Sequence, residues 1–73
     1  MEISKAASNL LADLQKEADG CTITESDGSV WKDVYLPNAQ GNRSRAKFAG
    51  LINALKDKGY YRPLGPGFGT VKL

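Results

Sequence analysis

The sequence predicts one small α+β domain spanning residues 1–73, on three observations. Apolar residues recur at helical spacing in two separated stretches. Between them lies a β-branched triplet followed by Asp27-Gly28, a tight-turn signal. The chain closes on YYRPLGPGFGTVKL, where glycine and proline are too dense for helix and fit two extended segments joined by a turn.

In the first stretch Ile3, Ala7, Leu10, Leu11, Leu14 and Ala18 fall on one face, predicting a helix over residues 3–18 with Gly20 available to end it. Thr22-Ile23-Thr24 and SVWKDVYL flank the Asp27-Gly28 turn, and a hairpin is the simplest account. Trp31, Val34 and Tyr35 also have helical spacing, so residues 30–36 fit a two-turn helix stopped by Pro37 as well, although strand is preferred. PNAQGN, residues 37–42, reads as a loop. Phe48, Leu51, Ile52 and Leu55 then define a second amphipathic helix. Asn42 or Ser44 can cap it, Gly59 lies just past its end, and Lys56 and Lys58 stand in its last turn, where they favour the dipole.

Composition narrows the function. At 73 residues, 41% hydrophobic and 25% charged, the chain can form one core but not two. Histidine is absent, the single cysteine Cys21 has no partner for a bridge, and the carboxylates are scattered. No metal, no cofactor and no catalytic constellation is therefore expected, and Cys21 reads as a small buried residue. The expected setting is reducing and cytoplasmic, because the amino terminus shows neither a secretory apolar region nor a membrane span.

The net charge of +2 hides a polarity. Residues 1–31 carry two basic against six acidic side chains, a net −4, whereas residues 32–73 carry eight against two, a net +6. Such asymmetry suggests an anionic partner for the basic half, unless the halves neutralise each other across the fold. On the second helix, the face opposite Phe48 carries the small residues Ala46, Gly50 and Ala54 beside Arg43, Lys47 and Asn53. A mid-helix glycine costs about 1 kcal/mol relative to alanine, so Gly50 needs a reason. Either the strip approaches a nucleic-acid groove or partner surface closely, or the first helix packs on it at short range.

In the closing hairpin, alternation sends Tyr60 and Arg62 to one side and Tyr61 to the other, so one tyrosine belongs to the core and one to the surface. LGPG reads as its mobile tip. An exposed tyrosine beside Arg62 and Lys72 suits contact with a nucleic-acid backbone or a protein.

The order helix, short strand, ambiguous segment, basic helix and glycine-tipped hairpin resembles a winged helix-turn-helix domain. The run FAGLINALKDKGYY, residues 48–61, is similar to the junction where the recognition helix of that family passes into its wing. The resemblance covers roughly residues 29–73 and departs from the family where a helix should precede the recognition helix: only VWKDVYL or PNAQ could supply it. With residues 30–36 as strand, the expected alternative is an αββαββ domain. The resemblance implies DNA or RNA as partner, with Arg43, Arg45, Lys47 and Asn53 as groove and phosphate contacts and Arg62 and Lys72 as wing contacts. A small transcriptional regulator or phage or mobile-element accessory protein is the function expected. The alternative is a protein-binding adaptor or inhibitor that uses Trp31, Tyr35, Tyr60 or Tyr61.

Overall fold

The structure, a computed structural model, describes residues 3–73. Helix α1 (Lys5–Glu17) leads into strands β1 (Thr22–Thr24) and β2 (Val30–Tyr35). Helices α2 (Leu36–Gln40) and α3 (Arg45–Asp57) follow, and β3 (Tyr61–Gly65) and β4 (Phe68–Lys72) close the chain. The four strands form one antiparallel sheet in the order β1-β2-β4-β3. The chain is thus an α+β protein of three helices and one four-stranded sheet.

Each helix starts where its sequence allows. Ser4 and Ser44 accept hydrogen bonds from the backbone N–H of Ala7 and Lys47, each satisfying a donor that the first turn leaves unpaired. Of the two candidate caps for α3, Ser44 is the one used. The far end of α3 is closed by Gly59, which takes φ +84°. There the N–H of Gly59 donates to the Lys56 carbonyl and that of Tyr60 to the Leu55 carbonyl, the paired bonds of a Schellman ending.

The first hairpin turns through a three-residue loop. Glu25 N–H donates to Ser29 O, Gly28 N–H returns to Glu25 O, and Gly28 takes φ +89°. Asp27 fixes this turn by accepting from both the N–H and the hydroxyl of Ser29, at 2.9 and 2.6 Å. Those two bonds favour its charged form and hold the Asp27 carboxyl below its usual range.

The core is built from one face of every large element: Ala7, Leu10 and Leu14 of α1, Val34 of β2, Ala39 of α2, Phe48 and Leu55 of α3, Tyr61 of β3 and Val71 of β4. Gly69 lies under the Tyr61 ring, where a Cβ would collide with the ring and with the Arg62 carbonyl. The alternation that turns Val34 and Val71 inward turns Trp31, Asp33 and Tyr35, with Thr70 and Phe68, to the sheet face away from the helices.

Several sequence expectations need correction. Residues 30–35 are strand, as preferred, but PNAQGN is not a loop: Leu36–Gln40 is helical. Pro37 opens this helix instead of ending one, because in the first turn its missing N–H has no intrahelical partner to lose. The αββαββ alternative therefore lacks a helix that the chain has. Cys21 is exposed, not buried, since it lies between Gly20 and the sheet's outermost strand. The closing turn is tighter than LGPG: Leu64 and Gly65 belong to β3, and the Gly67 carbonyl accepts from Leu36 N–H at 2.8 Å, which ties the turn to the start of α2.

Candidate nucleic-acid interface

The face of α3 opposite its buried residues Phe48 and Leu55 carries Ala46, Ala49, Gly50 and Asn53, all exposed. A Cβ built on Gly50 would meet nothing within 4 Å. The reading in which α1 packs on the small strip is therefore overturned. Helix α1 contacts the other side of α3, where Leu51 and Ile52 pack against the core. The strip is a smooth, open ridge. Arg45 and Lys47, both exposed, stand in the first turn and flank it, and Lys56 continues the basic border one turn from the end.

Beside the start of α3 lies an open concavity of about 420 Å³ lined by residues that include Asn9, Asn42, Ser44 and Lys47. The positive end of the α3 dipole and the Lys47 ammonium both favour an anion in this region. A phosphate oxygen here would also find the backbone N–H groups of the first turn that Ser44 leaves free.

Arg43 lines the same concavity but is committed within the protein. Its Nη2 donates to Asp13 Oδ2 at 2.8 Å, and its Nη1 donates to the carbonyls of Ala39 and Gln40 at 3.2 and 3.4 Å. The guanidinium thereby joins α1 to the end of α2 and fixes the α2–α3 turn, in which Gln40 Nε2 also donates to the Arg43 carbonyl.

The remaining candidates stand elsewhere. Arg62 and Lys72 belong to the outer sheet face, paired across the ladders with Thr70 and Trp31. Arg62 lies over the Trp31 ring, its Cζ 3.9 Å from the centroid, and its Nη1 donates to Glu25 Oε1 at 3.0 Å. This clamp ties β3 to the first hairpin across two intervening strands. Lys72 is half-buried, and its carbonyl accepts from Gln15 Nε2. The predicted set therefore divides, with Arg45, Lys47 and Asn53 on α3, Arg43 at the helical junction, and Arg62 and Lys72 on the sheet.

The aromatic candidates divide too. Tyr61 is core at 2% exposure, and burial raises its phenol above the ordinary value of 10.0. Trp31 is 3% exposed beneath Arg62, with its Nε1 donating to Ser29 Oγ, so its ring is covered by the protein itself. Tyr60 is half-buried against the core, not on the outer surface. Strand alternation does not apply to it, because β3 begins one residue later. Tyr35 is open at 56% exposure and stands directly across from Phe68, at 43%. Phe68 and the α3 residue Ala49 are the exposed positions that sequence reasoning missed. The signal for Ala49 was present in the three-residue spacing from Ala46.

Among the described residues no helix is long and apolar enough to cross a membrane, and no cluster of metal-ligating side chains occurs. Comparisons with protein-family models, with curated proteins and with solved structures return no match for this chain.

Proposed function

We propose that this chain is a small nucleic-acid-binding protein of winged-helix type, with α3 as its recognition helix. The observation that carries this reading is the exposed face of α3: small residues and Asn53 along its middle, with Arg45 and Lys47 at its amino-terminal end. A helix whose outer surface is free of bulky side chains can sit deep in a major groove, where Asn53 can reach a base edge while the two cations contact phosphates. The short helix α2 immediately before α3 supports the same reading by supplying the element that the sequence left in doubt. Arg43 serves in this scheme as the brace that sets the angle between α2 and α3, not as a phosphate contact.

The test is binding to duplex DNA and to RNA, followed by fluorescence anisotropy over a salt series. Affinity is expected to fall linearly on a logarithmic salt scale. The double variant Arg45→Glu, Lys47→Glu should abolish binding, while the single neutralisations each reduce the salt slope by about one released counterion. Binding that survives the double charge reversal unchanged overturns the proposal.

A second reading, a protein-binding adaptor, is favoured by the exposed Tyr35–Phe68 pair. Under it, Tyr35→Ala should leave nucleic-acid binding intact and remove capture of a protein partner.

A further inference from the structure

The sheet has two edges, and only one is protected. At β3, Tyr60 and Lys72 share a ladder hydrogen bond, so the alternation points the backbone groups of Tyr61 and Pro63 outward. Pro63 has no N–H to offer there, and the ladder is irregular between Pro63 and Gly65. Proline and bulges are the devices that keep an edge from pairing with another strand. At β1 neither is present. Thr22, Ile23 and Thr24 are all exposed, uncharged and β-branched, and no strand lies beyond them in the sheet order.

The hydrogen-bond parity of β1 follows from its hairpin. Glu25 N–H donates inward to Ser29 O, so Ile23, two residues earlier, also directs its backbone groups toward β2. Thr22 and Thr24 therefore direct theirs outward. This gives two donors and two acceptors placed symmetrically about Ile23, an arrangement complementary to itself under a two-fold axis.

We infer that β1 pairs antiparallel with β1 of a second copy of this chain, joining the two sheets across a two-fold axis at Ile23. In that register Thr22 of each copy exchanges both backbone bonds with Thr24 of the other. The two Ile23 residues form the non-hydrogen-bonded pair, whose Cα atoms approach to about 4.5 Å, and their side chains, 43% exposed in the single chain, cover each other. Self-complementarity selects a second copy over an unrelated extended peptide. Four hydrogen bonds and one isoleucine contact are far below the size of a permanent interface, so the pairing is reversible and concentration-dependent. Asp19 and Asp27 stand at opposite ends of the register, each facing the other's counterpart, so added salt strengthens this contact, whereas it weakens nucleic-acid binding.

Sedimentation across a concentration series tests the inference. The mass should rise from 7.9 kDa toward twice that value, and more readily at higher salt. Thr24→Pro removes an outward N–H and no bond to β2, so it should return the mass to that of a single chain. Single cysteines placed at positions 22, 23 and 24 in a Cys21→Ser background provide a second readout. Ile23→Cys should form the intermolecular disulfide at least tenfold faster than the other two, because it alone faces its own copy within disulfide reach. Equal rates at the three positions, association unaffected by Thr24→Pro, or a monomer at every concentration would each overturn the pairing. So would an edge that accepts an added extended peptide without self-association.

Discussion

Helices α1 and α3 are matched in length and in cap, at 13 residues each with a serine hydroxyl accepting from the third helical N–H, yet they are put to different uses. In α1 the inward face is occupied by Ala7, Leu10 and Leu14, all at 0% exposure, and the helix lies against α3, α2 and the sheet. In α3 the inward face is carried by Phe48 and Leu55, supported by the half-buried Leu51 and Ile52. The difference lies on the outer faces. That of α1 bears long polar side chains such as Gln15, Lys16 and Glu17, whereas that of α3 is pared down to alanine, glycine and asparagine between cations. A glycine in the middle of a helix, over open space, is a standing cost of about 1 kcal/mol that packing does not explain. The comparison therefore assigns α1 to stability and α3 to contact.

The largest effect that would break this assignment is on the α1 side. Leu14→Ala removes a fully buried side chain and should cost about 2 to 5 kcal/mol, a large share of what a domain this small can have. Urea unfolding measures it, and a cost below about 1 kcal/mol would show that α1 is not the principal anchor.

A smaller effect, of opposite sign, is expected on α3. Gly50→Leu meets nothing within reach of the new Cβ and gains helix propensity, so thermal stability should rise by up to about 1 kcal/mol while nucleic-acid binding falls. A lowered midpoint would instead place a packing partner over the strip and remove the contrast between the helices.

The smallest effect concerns pH and the core strand beneath α3. The Tyr61 phenol is buried and its folded-state pKa lies above the unfolded value. Its contribution to stability is fully present below the unfolded pKa and is lost as pH rises through the folded one. Stability should therefore decline in the alkaline range, and Tyr61→Phe should flatten that decline. An alkaline loss identical in both chains would assign it to other groups.

Much of this was legible along the chain. The three-and-four spacing of Leu10, Leu14, Phe48 and Leu55 defined both long helices, and Asp27-Gly28 located the first turn, because these signals depend only on neighbours within a few residues. The small strip of α3 was also legible as a strip. Its direction was not, since a face of alanine and glycine serves close helix packing as well as it serves an open surface, and only the position of α1 distinguishes the two.

Residue types and local spacing thus determined the two long helices, the two hairpins, the basic half and the candidate status of Arg45, Lys47 and Asn53. The tertiary structure decided the rest. It withdrew Arg43 into the bond with Asp13, 30 residues away, and laid Arg62 over Trp31, 31 residues away. It also turned Pro37 from a stop into a start, and left β1 open while β3 carries its proline. The physical reason is common to all four. Whether a charge is free, a proline tolerated or a strand edge covered depends on what lies across space from it, and those neighbours are set by the packing of the helices on the sheet.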